Sequence, residues 1–285
     1  MSLHALLTAA DVSPVMPAGL ATVVLIFLAG VGAGMINSVA GGGTLLSFPV
    51  LLSLGRDPVL ANVANAVALS PGSLAAAYAY RRELRAAPRL LAVLLPASIV
   101  GSVAGAYLLL ATPARWFDLI VPVLILAATA LLALKRPLLR VFGAFRSPKP
   151  GAVAPALPEP TPANPPAALW GLAFGQLLVG IYGGYFGAAI GIIMLATLGL
   201  AGVGDIHQRN ALKNACSAAI NAIAGLFFAT QGAVLWFDAC VLAAGAITGG
   251  YLGGLVGRRL NQRLAEGLVV AVGLIAAAAQ IFRLR

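Results

Sequence analysis

Two glycine-rich stretches lie inside long apolar runs: GVGAGMINSVAGGGTLLSFP over residues 30–49 and GIYGGYFGAAIGIIMLATLG over residues 180–199. Glycine in a helix interior costs about 1 kcal/mol relative to alanine. Gly41, Gly42 and Gly43, followed by Thr44 and an apolar run, therefore mark a helix that stops and starts again. The chemistry such a restart offers is anion binding. The first amides of a helix lack intrahelical partners and stand at the positive end of its dipole. Glycine also lets a ligand approach the backbone closely. Asn37, Ser38, Thr44 and Ser47 add uncharged hydrogen-bonding groups around that turn, and Tyr182, Gly183, Gly184, Tyr185 and Gly187 occupy the matching break. Gly30/Gly34 and Gly187/Gly191 instead have the four-residue spacing that lets membrane helices pack closely.

Five asparagines follow in corresponding places: Asn62 and Asn65, then Asn210, Asn214 and Asn221. Asn62 and Asn210 sit at helix starts, where asparagine serves as a cap or as a substrate contact. Asn65, Asn214 and Asn221 lie deeper, and a buried amide needs a partner, so they are expected to touch substrate. Lys213, one turn after Arg209, either attracts an anion at the cytoplasmic mouth or, as the commoner arrangement, snorkels as an interfacial base. All eight acids lie in or near predicted loops. Proton-coupled carriers usually keep a carboxylate within the membrane; a basic-mouthed path without one points to a net-anionic substrate. His4 and His207 complete no Ser/His/Asp set, and no P-loop or HExxH occurs. Cys216 and Cys240 have neither metal spacing nor a disulfide framework. No enzyme, cofactor or metal site is expected.

These residues have to be positioned by membrane helices. Of 285 residues 61% are hydrophobic and 9% charged, far below the quarter or so of charged residues a soluble surface wants. Apolar segments long enough to span a bilayer recur along the chain. The net charge of +10 does not mark a nucleic-acid binder, because the bases lie in short loops without an aromatic-basic patch. The predicted class is all-α: a multi-pass protein of the inner membrane, whose partners are the lipid bilayer and a small organic or inorganic anion. The predicted organisation is a tail over 1–17, a first transmembrane repeat over 18–145, a linker over 146–167 and a second repeat over 168–285. The linker carries eight prolines, which cannot continue a helix.

The repeat rests on order as well as composition. At an offset of 150, Gly30, Gly34 and Gly41 match Gly180, Gly184 and Gly191, and Asp57-x4-Asn62 then matches Asp205-x4-Asn210. Basic residues choose the orientation, since cytoplasmic loops carry the Lys/Arg excess. If each glycine stretch belongs to one crossing, 11 of the 18 bases fall inside; if each turns the chain around, 14 do. The second arrangement makes the halves inverted repeats with broken or re-entrant segments, an architecture that places substrate near the midplane.

The runs GAGMINSVAGGGTLLSFPVLLSLG, GIYGGYFGAAIGIIMLATLGL, NALKNACSAAINAIAGLFFATQGAVLW and GAITGGYLGGLVGRRL resemble the sulfite exporter TauE/SafE family. The resemblance covers nearly the whole chain except the proline linker and the extreme termini. It implies transport of sulfite, organosulfonates or, in some members, other small organic anions. The expectation is a secondary transporter using alternating access. A passive anion channel and a carrier of non-sulfur anions are the alternatives.

Overall fold

The computed structural model describes residues 19–134, 166–256 and 262–283, and every regular element among them is a helix. The predicted tail, almost all of the linker, the bases of 135–149, Arg258, Arg259 and Arg285 lie outside the described residues. The helices are α1 (Leu20–Val39), α2 (Thr44–Ser53), α3 (Pro58–Ala79), α4 (Arg81–Arg85), α5 (Pro88–Ala111) and α6 (Ala114–Ala133). After the linker come α7 (Pro166–Tyr185), α8 (Ile190–Leu200), α9 (Ile206–Thr230), α10 (Trp236–Val256) and α11 (Gln262–Arg283). Six of them, α1, α3, α5, α6, α9 and α10, are long and apolar enough to cross a membrane. Large apolar side chains such as Leu20, Tyr107, Phe174 and Ile275 stand exposed on the outside, as a lipid-facing surface requires.

The two central helices, α3 and α9, start in the same way. Asp57 accepts hydrogen bonds from the amides of Val59 and Leu60, with Pro58 at the first helical position, and Asp205 accepts from the amide of Gln208. Each carboxylate satisfies amides that the helix leaves open. Asp57→Ala is expected to cost about 1 kcal/mol, read as a lower unfolding temperature of the detergent-solubilised protein.

α3 and α9 pack on one another, and each is flanked by a pair of helices in backbone contact: α1 with α10, and α7 with α5. Small residues make this possible. A Cβ built on Gly30 would collide with the carbonyl of Leu242, and one on Gly34 with that of Ala246. Gly180 and Gly184 meet Ser98 and Ser102 in the same way. The two interfaces correspond at an offset of 150 between α1 and α7, and of 144 between α5 and α10. Gly30, Gly34 and Gly184 are thus packing glycines, a role the sequence reading gave to the first two but not to Gly184.

α2 and α8 run back along the helices that precede them. Gly43 packs on Ala33 and Asn37 while Leu46, further along α2, meets Gly32. Likewise Ile190 lies against Gly183 while Met194, one turn on, lies 3.6 Å from Gln176. Rising positions on one helix meet falling positions on the other, so α1–α2 and α7–α8 are antiparallel hairpins. Each returning helix, of 10 and 11 residues, is about 15 Å long, half a bilayer.

Two contacts sort the helix ends into faces. Tyr80, after α3, stacks on His207, in the first turn of α9, with ring centroids 6.4 Å apart. Arg56, before α3, forms a bidentate ion pair with Asp238 in the first turn of α10, at 2.6 and 3.1 Å. The end of α3 and the start of α9 therefore share a face. Treating each glycine stretch as part of one crossing would put them on opposite faces, so that arrangement does not fit.

Candidate functional site at the hairpin tips

Each hairpin turns at a left-handed residue. α1 ends at Val39, Gly41 takes φ +82°, and α2 begins at Thr44. α7 ends at Tyr185, Gly187 takes φ +76° and Ala189 φ +61°, and α8 begins at Ile190. In both tips the left-handed glycine donates to a carbonyl five residues back, Gly41 to Ile36 at 3.2 Å and Gly187 to Tyr182 at 3.2 Å. This is the six-to-one bond of a Schellman-type helix end. The tips therefore match at an offset of 146, four residues less than the helix bodies. The expected pairing of Gly41 with Gly191 is corrected to Gly41 with Gly187, which is a turn glycine and not a packing one.

Gly41 and Gly191 nevertheless meet in space. A Cβ on Gly41 would lie 2.5 Å from the Cα of Gly191, and one on Gly191 would collide with Gly41 and sit 3.0 Å from Lys213 Cδ. The two glycine-rich tips thus touch backbone to backbone, sealed from solvent. Gly42, at the centre of the triplet, faces elsewhere: its built Cβ would make ordinary contact with Leu132 at 3.6 Å.

Among the described residues, the amides of Gly42, Gly43 and Thr44 have no hydrogen-bond acceptor, and neither do those of Ala188, Ala189, Ile190 and Gly191. All of these residues are buried. Open amides at a helix start stand at its positive end, and here two such starts are held together.

The opposing helix ends are capped across the molecule. Lys213 Nζ donates to the carbonyls of Asn37 (2.7 Å) and Ser38 (3.0 Å), and Asn214 Nδ2 donates to Ser38 O at 3.1 Å. On the other side Asn62 Nδ2 donates to the carbonyl of Tyr185 at 3.0 Å. So α9 caps the end of α1, and α3 caps the end of α7. A cation at the negative end of a helix dipole is favourably placed. Lys213 is 1% exposed, so it does not snorkel; its aliphatic chain runs along Gly191 and its ammonium reaches the tip of the first hairpin. Arg209, by contrast, braces the loop between α8 and α9, donating to the carbonyls of Val203 (2.5 Å) and Gly204 (3.0 Å).

The other residues singled out from sequence distribute unevenly. Asn37 Nδ2 donates to Ser73 Oγ at 2.9 Å, and Ser38 Oγ to Met35 O at 2.9 Å. Asn65 accepts from Ser47 Oγ, locking α2 to α3. Thr44 is buried at the first turn of α2. Tyr182 reaches across its own hairpin to Ala188 O at 2.8 Å, Gly183 packs on Ile190 and Ile220, and Tyr185 sets its ring against Phe117. Asn221 Oδ1 lies 3.9 Å from where a Cβ on Gly187 would be.

Asn210, Asn214, Ser217 and Asn221 follow one another at i, i+4, i+7 and i+11, one face of α9. All four are buried, and the stripe runs from the first tip, at Asn214, to the second, at Asn221. Among the described residues, three polar atoms on it find no hydrogen-bond partner: Asn210 Oδ1, Asn214 Oδ1 and Ser217 Oγ. Ser217 was missed by sequence reasoning, although its place one turn beyond Lys213 on an asparagine-bearing face was there to be read. Ser73 was missed too.

The family model for sulfite exporter TauE/SafE matches residues 26–280. A protein of Escherichia coli K12 called probable membrane transporter protein YfcA is 26% identical over 262 residues, 90% of this chain and 89% of the relative. A probable membrane transporter protein of Haemophilus influenzae is 27% identical over 268 residues, 94% and 97% of the two chains. A third, probable membrane transporter protein ORF9 of a Sinorhizobium species, is 27% identical over 255 residues, 87% and 88%. No solved structure matches. With a match that covers most of its length and a helical, multi-pass build, this chain belongs to the sulfite exporter TauE/SafE family of membrane proteins.

Proposed function

We propose that the protein is a secondary transporter of small sulfur-containing anions, sulfite or organosulfonates, and that the anion sits where the two hairpin tips meet. The observation that carries this reading is the pair of buried helix starts with open amides, joined at Gly41 and Gly191 with the Lys213 ammonium beside them. A sulfonate or sulfite group offers three oxygens in a pyramidal array, which converging amide donors and one ammonium satisfy together. Buried, these donors cost free energy when unpaired, so an anion that brings acceptors is favoured there over bulk water.

The arrangement of the halves supports alternating access. The corresponding packing of α1 on α10 and α7 on α5 supports reading them as inverted repeats, with each hairpin entering from its own side of the membrane. The face carrying Arg81, Arg82, Arg85, Arg89 and Arg209 is the cytoplasmic one by its basic excess. The Arg56–Asp238 pair then lies at the outer face. Rocking one half against the other would part the tips on one side at a time, and Lys213 would exchange the α1 carbonyls for the anion as the tips part.

The test is uptake of labelled sulfite into proteoliposomes holding the purified full chain. A carrier gives saturable uptake and accelerated counterflow against internal sulfite. Uptake that rises linearly with concentration and shows no counterflow would instead make the protein a channel. Liposomes that take up neither sulfite nor any sulfonate above the empty control would end the anion reading.

A further inference from the structure

The partnerless atoms on α9 say something about the rest of the substrate. Amides and an ammonium are donors, and they account for an anionic head. Asn214 Oδ1 is an acceptor, and it has no donor although Asn214 is 0% exposed. Its identity as oxygen follows from chemistry: the other arm of the amide donates to the carbonyl of Ser38 at 3.1 Å, which only the NH2 arm can do. That same bond holds the side chain at the tip of the first hairpin, next to Lys213. Ser217 Oγ, one turn along the same face and 1% exposed, also has no partner. On α3 the corresponding amides are occupied, Asn62 by Tyr185 and Asn65 by Ser47. Among the described residues, four of the six buried side-chain atoms without a hydrogen-bond partner lie on α9, His207 Nδ1 with the three above, and the other two, Asp118 Oδ1 and Thr129 Oγ1, on α6.

We propose that the transported anion carries a hydroxyl group of its own, which donates to Asn214 Oδ1 while the anionic head occupies the open amides and Lys213. This rests on the anion-transporter reading above and narrows it to hydroxylated anions, with Asn214 as the residue that selects them. The hydroxyl oxygen in turn accepts from Ser217. A protonated amine would also donate to Asn214, but it would stand beside the Lys213 ammonium, and like charges in a buried site repel. A neutral hydroxyl satisfies the acceptor without that cost. An analogue with a methyl group in the same place leaves the acceptor buried and unpaired, the situation that gives hydrogen-bonding sites their strongest discrimination.

The experiment is competition against labelled sulfite uptake in proteoliposomes, using 2-hydroxyethanesulfonate and 1-propanesulfonate, which differ by a hydroxyl against a methyl. Wild type is expected to bind the hydroxylated compound about 10-fold or more tightly, the worth of one buried hydrogen bond. Asn214→Leu should bring the two compounds to near equality, and because the wild-type comparison needs no variant, a poorly folding Asn214→Leu would not shield the idea. Equal inhibition by both compounds in wild type overturns the hydroxyl proposal and leaves the anion reading standing, as does a preference that survives Asn214→Leu. No sulfite uptake and no competition by either compound overturns both.

Discussion

Gly41→Ala is expected to abolish sulfite uptake, while Gly42→Ala leaves it near the wild-type rate. Two costs fall on the first substitution and neither on the second. Gly41 holds φ +82°, a left-handed conformation that costs a residue with a Cβ roughly 1–2 kcal/mol. The new Cβ would also lie 2.5 Å from the Cα of Gly191, where the obstacle is backbone and cannot rotate away; overpacking of this kind costs about 1–3 kcal/mol. The tips must then separate, and the two sets of open amides move apart with them. Gly42 would put its Cβ 3.6 Å from the flexible end of Leu132, an ordinary contact. In the sequence the three glycines of the triplet count alike; the contacts of Gly41 and Gly42 set them apart. Both variants are compared by uptake and by elution as a monodisperse peak in detergent. Wild-type uptake by Gly41→Ala would show that the contact between the tips is not needed.

Lys213→Met is the second large effect. Methionine keeps most of the length and apolar volume that run along Gly191, and removes the ammonium. Asn37 O then loses the ammonium donor, whereas Ser38 O keeps Asn214. Stability should fall by about 1–3 kcal/mol, the range for a buried acceptor left unsatisfied. Anion affinity should fall further, because a charge-assisted hydrogen bond is worth roughly 1.5–3 kcal/mol, about 10- to 100-fold in binding. Lys213→Arg separates the two contributions. It retains the charge, but its planar fork does not match the compact ammonium seated between two carbonyls. Partial recovery of affinity by arginine points to charge; recovery of stability without affinity points to capping alone.

The fold was legible in the sequence at the scale of helices. Apolar runs marked the spanning helices, because membrane helices write their length into local sequence, but the starts of α3 and α9 were read too late: the caps are Asp57 and Asp205, and Asn62 and Asn210, expected at the helix starts, lie about one turn inside. The hairpin reading of the glycine stretches rested on counting bases across faces, a global signal that needs no packing information. What sequence did not carry was register at close approach. An offset of 150 fits the packing glycines Gly30 and Gly34 against Gly180 and Gly184, but the tips obey 146. Glycine looks the same in sequence whether it permits a left-handed turn, as at Gly187, or a helix crossing, as at Gly184. Lys213 was misplaced for a related reason. A lysine near a predicted helix start reads as interfacial, and its burial depends on carbonyls contributed from residues 37 and 38 in the other half of the chain. The asparagines were correctly picked as buried, yet their partners, Ser38, Tyr185 and Ser47, are set by tertiary contacts that no spacing announces.

The most direct measurement is isothermal titration of sulfite into the purified wild-type protein, Gly42→Ala and Lys213→Met, with helicity of all three checked by circular dichroism. Binding at the hairpin tips predicts one saturable site in wild type and Gly42→Ala, and a loss of about 10-fold or more in Lys213→Met with helicity retained. Wild-type affinity in a folded Lys213→Met would contradict the account, because the anion would then be held somewhere other than beside the ammonium that joins the two halves.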